Sequence, residues 1–142
     1  MTGYVTKGNH IYNGDYLAGE ALKNGLFAEI VAAGTVKKIT AAGDMELRVD
    51  AKETLFGEPA IRATVVYEGT KDTFFVENEW DLACECNYNT ADYELPAGEY
   101  VKMKRLLAGE QVIFNVTSAV AATLAVNDII KPASGGSVAK KS

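Results

Sequence analysis

Three kinds of side chain in this sequence could do chemistry: the thiols of Cys84 and Cys86, the single imidazole of His10, and the carboxylates of Glu77, Glu79 and Asp81. In an extended strand a Cys-x-Cys pair puts both thiols on one face with Cα atoms roughly 6.5–7 Å apart, at the limit of disulfide reach. A zinc site takes four donors, and two thiols with one distant histidine do not supply them, so reduced structural cysteines are expected. His10 has no Ser or Cys nucleophile near it in the chain and Asp15 as its nearest acid, which makes it a surface or contact histidine. The three carboxylates alternate along one strand face and could hold a hard cation, but the loop spacing of calcium motifs is missing. Cross-strand pairing with Lys102 and Lys104, at about 0.2–1 kcal/mol per pair, is their expected fate. Gly135-Gly136-Ser137 lacks the lysine and helix of a phosphate loop and reads as a turn. Asn115-Val116-Thr117 matches a glycosylation sequon, yet it lies in a strand pattern that buries Val116. These residues assign no catalytic group, no metal ligand and no cofactor, and an enzyme is not expected.

The elements that would position these groups are strands. Gly25, Gly34, Gly43, Gly57, Gly69, Gly98 and Gly109 cut the chain at the spacing of short strands joined by turns. Met45, Leu47 and Val49 alternate with Glu46, Arg48 and Asp50, a period of two that buries one face. Ile61, Ala63, Val65 and Tyr67 repeat the pattern against Arg62, Thr64 and Glu68, and Glu68-Gly69-Thr70-Lys71 reads as a turn leading to an antiparallel return strand over 73–82. That strand would place Phe74, Val76, Trp80 and Leu82 inside, broken only by Asn78. A second hairpin is expected from Val101, Met103 and Leu106, a turn at Ala108-Gly109-Glu110, and Val112, Phe114 and Val116. Thr117 or Ser118 can cap one short helix over 119–125, and the stretch from Val126 to Val138 reads as a last strand, a glycine turn and a short return. The expected fold is mainly β, a small antiparallel β-barrel or β-sandwich with one short helix and an extended N-terminal arm. The arm covers residues 1–25 and the β-rich domain residues 26–142; the arm carries five glycines and three tyrosines with little periodicity.

Composition narrows the functional classes. The 142 residues suit one domain with a core of its own, and 48% apolar with 23% charged residues is an ordinary globular balance. A net charge of −5 opposes phosphate backbones, so nucleic acid is not an expected partner. The first ten residues lack the basic and apolar regions of a secretory signal, the longest nearly apolar stretch, 119–126, is far too short to cross a bilayer, and no lipidation signal is present. No membrane partner is expected.

Three phrases carry a resemblance: Glu20-Ala-Leu-Lys-Asn-Gly-Leu-Phe-Ala-Glu-Ile30 after the loose segment, Ala97-Gly-Glu-Tyr-Val-Lys-Met-Lys104, and Leu124-Ala-Val-Asn-Asp128 leading into Pro132-Ala-Ser-Gly-Gly-Ser-Val-Ala139. Over most of its length the chain resembles the capsid decoration, or cement, proteins that tailed bacteriophages encode beside their major capsid protein. The resemblance implies a structural virion protein, made in the host cytoplasm, that sits on the capsid exterior and stabilises the shell. Its partners would be the major capsid protein and other copies of itself. The physical reading agrees, because tyrosines supply rigid amphipathic contact area at low entropic cost. The expected contact residues are Tyr4, Lys7, His10, Tyr12, Tyr16, Lys140 and Lys141. Other virion components, such as a tail, connector or head-fibre protein, share this composition, and a small-molecule-binding barrel or enzyme is the third class.

Overall fold

The computed structural model describes residues 2–9, 11–31, 34–78 and 93–141. The expectations placed on His10, Cys84, Cys86, Trp80, Leu82, Glu79 and Asp81 lie outside the described residues. In chain order the strands are β1 (Gly3–Lys7), β2 (Asn13–Ala18), β3 (Leu22–Lys23), β4 (Phe27–Val31), β5 (Thr35–Lys38), β6 (Glu46–Leu55), β7 (Glu58–Tyr67) and β8 (Phe74–Val76). They continue as β9 (Glu94–Leu95), β10 (Tyr100–Lys104), β11 (Gln111–Asn115), the helix α1 (Ser118–Thr123), β12 (Ile129–Pro132) and β13 (Val138–Lys140). Among the described residues the fold is mainly β with one short helix, as the alternation and the Thr117 cap predict.

Two sheets carry the structure: an open six-stranded sheet in the order β1-β11-β7-β6-β12-β13 and a closed five-stranded barrel in the order β10-β2-β5-β4-β8, with β3 and β9 as a separate pair. Neighbours pair antiparallel except β2 with β5, which run parallel. The barrel interior holds Ala18, Ala28, Val36, Val76, Val101 and Met103. A larger core lies between the sheet and the barrel, where the predicted inner residues Met45, Leu47, Val49, Ile61, Ala63, Val65, Val112, Phe114 and Val116 are all buried. Phe27, Phe75 and Phe114 meet there edge to face, with ring centroids 5.5, 6.1 and 6.5 Å apart, tying barrel strands to sheet strand.

Several expectations are corrected. The described residues of the 1–25 segment, 2–9 and 11–25, do not form a free arm. β1 pairs with β11 in register Gly3↔Phe114 and Val5↔Val112, and β2 is a stave of the barrel. Glycine there serves close approach: a Cβ on Gly3 would lie 2.7 Å from the Gly25 Cα, and one on Gly8 would lie 2.2 Å from a Glu110 carboxylate oxygen. Neither expected hairpin forms either. β7 belongs to the sheet and β8 to the barrel, and so do β11 and β10 respectively. The loop after β7 is diverted by Asp44, whose carboxylate accepts from the Thr70 N–H (2.8 Å), the Thr70 hydroxyl (2.6 Å) and the Lys71 N–H (3.1 Å). Alternation identifies a strand's inner face but not its partner, and here both connections cross between layers. Phe74, expected inside, is only half-buried, while Phe75 is fully buried. Tyr67 is 46% exposed at the end of its strand.

The two-residue β6–β7 connection, Phe56–Gly57, makes a tight hairpin with Leu55 opposite Glu58. Both loop residues have positive φ, 52° and 78°, the signature of a type I′ turn. The helix starts where its cap predicts, with the Thr117 hydroxyl accepting from the Val120 N–H. The C-terminal strand, glycine turn and return are β12, the turn at Gly135–Gly136, and β13.

Candidate functional site

The barrel's outer surface is the first place where apolar groups are left over. Because Ala18, Val36 and Val101 point inward, their neighbours Leu17, Thr35 and Tyr100 point outward. Register aligns them: Tyr100 lies opposite Leu17, Leu17 beside Thr35, and Thr35 opposite Val31. The result is one row across four staves, in which Tyr100 is 65% and Leu17 38% exposed. Charged residues rim it: Glu29 and Lys37 face each other one step along, and Glu99 is exposed beside Tyr100. An apolar row with a polar rim is the composition of a protein contact.

A second feature is an open groove of about 370 Å³ where the β1–β2 loop crosses β8 and the chain after β10. Ile11, 75% exposed, and Leu107, 49% exposed, flank it with Tyr12 and Phe74. Its charged wall is already satisfied. Lys104 Nζ donates to Glu110 Oε2 at 2.6 Å and to the Asn9 carbonyl, and both side chains of the pair are buried. Glu110 also accepts from the Asn9 N–H at 2.8 Å and the Leu107 N–H at 2.7 Å. Burial alone would raise the Glu110 pKa, but the bonds from Lys104, Leu107 and Asn9 outweigh it and hold the carboxyl below the ordinary carboxylate range. This pair therefore fixes the loop rather than offering a charge to a ligand. Lys104 was expected to neutralise the acidic strand face; it turns inward to Glu110 instead, and Glu77 accepts from the Tyr12 hydroxyl and the Val5 N–H.

A polar network covers the outer face of the six-stranded sheet. The register shift between Val49 and Ala51 sets Asp50 beside its neighbours on β7 and β11. Its carboxylate accepts from the Thr64 hydroxyl, from Gln111 Nε2 at 2.8 Å and from Arg48 at 3.2 Å. Burial opposes ionisation, but these bonds lower the Asp50 pKa. Gln111 passes the network on to Thr6 at 2.9 Å, and Arg62 bonds Glu53 at 2.6 Å. Among the described residues no buried side-chain nitrogen or oxygen lacks a partner, and no three His, Cys, Asp or Glu side chains converge as a metal site.

The residues expected to make contacts do not form one patch. Tyr4, 40% exposed, sits on β1 opposite Ile113, and exposed Lys7 ends that strand. Tyr12 lines the groove, whereas Tyr16 is half-buried and packs against the barrel interior across from Val101. Lys140 and Lys141 lie at the opposite edge of the sheet, paired with Asp128 at 3.3 Å and Glu46 at 2.7 Å. Sequence reasoning missed Leu17, Tyr100, Ile11 and Leu107. Each is a single apolar residue on the outward phase of a strand or in a loop, and only the strand phase of Leu17 and Tyr100 was available as a signal. Comparison with known proteins finds no matching family model, no similar curated protein and no similar solved structure.

Proposed function

We propose that the protein is a structural virion component that docks on the outer surface of a tailed-bacteriophage capsid and stabilises the shell. The observation that carries this reading is the exposed apolar row from Tyr100 to Leu17 across the closed barrel, a rigid surface with charge only at its rim. Tyrosine, here the most exposed member of the row, is among the residue types that dominate protein interfaces. Among the described residues the buried polar side chains are engaged in bonds that hold loops and strands together, which favours a binding role over catalysis. The major capsid protein is the partner, and many copies on a symmetric lattice would add modest contacts into a large resistance to expansion.

Capsids assembled without the protein test this directly. Wild-type protein should sediment with them and raise the temperature at which they rupture. Tyr100→Ala should weaken binding about 10-fold, and Leu17→Asp with Tyr100→Asp about 100-fold or more, with circular dichroism unchanged. Full-strength sedimentation of the double variant would remove the barrel row as the docking surface, and failure of the wild-type protein to bind would remove the capsid.

A further inference from the structure

Asparagine followed by glycine occurs twice in the chain, at Asn13–Gly14 and at Asn24–Gly25, and the fold treats the two dipeptides in opposite ways. A glycine after asparagine leaves its backbone nitrogen open to the asparagine's own side-chain carbonyl carbon, because no Cβ stands in the way. In an unfolded chain the two pairs are alike. At Asn24 the fold blocks the approach: Nδ2 donates to the Asn78 carbonyl at 3.0 Å and Oδ1 accepts from the Asn78 N–H at 2.7 Å, so both ends of the amide are held. The Gly25 nitrogen is engaged as well, donating to the Val76 carbonyl at 2.9 Å, and Gly25 is buried.

Asn13–Gly14 stands in different surroundings. Between the pairs Val101↔Tyr16 and Met103↔Asn13, β2 spends Gly14 and Asp15 where β10 spends only Lys102, so these two residues form a bulge. Both are exposed, and a Cβ at Gly14 would meet nothing within 4 Å. Pairing of β2 with β5 begins only at Leu17. In the bulge the Asn13 Oδ1 accepts from the Asp15 N–H at 3.1 Å. That bond closes a ring containing both the Asn13 Cγ and the Gly14 nitrogen, the two atoms that would have to join. It also polarises the side-chain carbonyl and would steady the negative charge that develops on its oxygen in a tetrahedral intermediate.

We infer that Asn13 is a site of self-modification, converting to aspartyl and isoaspartyl residues through a cyclic imide while Asn24 stays intact. The Gly14 nitrogen loses its proton to solvent and attacks the Asn13 Cγ, forming an N–C bond. The Cγ–Nδ2 bond then breaks, and the amide nitrogen takes a proton from solvent and leaves as ammonia. Water next opens the imide, giving aspartate where the new bond to Cγ breaks and isoaspartate where the bond to the main-chain carbonyl carbon breaks. Water is the only co-reactant. Either product adds one carboxylate to a chain of net charge −5, on the wall of the groove that Asn13 lines with Lys104 and Arg105. The isoaspartyl product also lengthens the β2 backbone by a methylene at its pairing with Met103, whereas the Leu17–Tyr100 register lies beyond the bulge.

The test incubates the full chain at mildly alkaline pH, once folded and once in guanidinium chloride, and follows the peptides spanning Asn13 and Asn24 by mass spectrometry, with isoaspartate read by enzymatic methyl transfer. In denaturant both asparagines should convert. In the folded protein Asn13 should convert at least about 10-fold faster than Asn24, whose side chain must first break from Asn78. Gly14→Ala, which the open space at Gly14 accepts, should slow conversion of Asn13 about 10-fold with circular dichroism unchanged, because its Cβ obstructs the attacking nitrogen. No conversion at Asn13 in the folded protein, equal rates at the two sites there, or a wild-type rate in Gly14→Ala would each overturn the assignment.

Discussion

Lys104 and Glu110 are a buried ion pair six residues apart, and their value lies in what else the carboxylate holds. Glu110 bonds the Asn9 and Leu107 amides as well as the lysine, so it closes the β1–β2 loop over the chain after β10. Removing the cation should leave a buried charge with fewer partners: Lys104→Met is expected to cost about 3 kcal/mol in urea unfolding at neutral pH. The pH dependence follows from the sign of the shift. The folded pKa of Glu110 lies below its ordinary value of 4.5, so its stabilisation is complete above that pH and is lost as pH falls through the folded value. Asp50, lowered from 3.8 once the bonds from Thr64 and Gln111 overcome burial, adds loss on the same acid side. Glu110→Gln should therefore flatten the fall in urea midpoint below about pH 5, while lowering stability at neutral pH. An unchanged acid limb would assign the sensitivity to other carboxylates.

Strand pairing decides the role of the first 18 residues. β1 covers the β11 edge with Val5 in the main core, and β2 joins β10 to β5 in the barrel. Deleting residues 2–16 would expose β11, whose residues are all buried, and would open the barrel between β10 and β5. Such a chain should show no cooperative thermal transition and should bind hydrophobic dye. A normal dichroism spectrum and melt after the deletion would restore the segment to the status of a separable arm. The opposite edge strand, β13, is short and ends on Lys140, followed at once by Lys141, charges that discourage edge-to-edge pairing.

At the largest scale the sheet and the barrel share one core, at the centre of which three aromatic rings meet. Phe27 and Phe75 come from adjacent barrel strands and Phe114 from β11, one strand in from the sheet's edge, and all three are buried. Phe27→Ala should cost about 3–5 kcal/mol, and the loss should be shared. Amide exchange should accelerate in β2 and β5 as well as in β6 and β7, because the rings join the layers into one cooperative unit. Faster exchange confined to the barrel would show that the sheet folds by itself.

Local pattern in the sequence was enough to determine the mainly β class, the inner faces of β6, β7 and β11, the helix with its Thr117 cap, and the final turn between β12 and β13. These depend on period-two alternation, on a hydroxyl able to meet a free amide, and on glycines at positive φ, all of which act within a few residues. What tertiary structure decided is the partner of each strand. The turn at 68–71 looked like a hairpin because nothing local announces that Asp44, more than twenty residues earlier, captures it and sends β8 into the barrel. The glycines and tyrosines of residues 1–25 suggested a free arm because close backbone approach, as between Gly3 and Gly25, and chain flexibility both call for glycine. The surface residues Leu17 and Tyr100 became neighbours only through a register between strands far apart in the chain, and the groove around Ile11 forms only through a loop pinned by Glu110. Contacts of that length carry no signature in sequence, since each side chain is ordinary where it stands and gains its role from what the fold sets beside it.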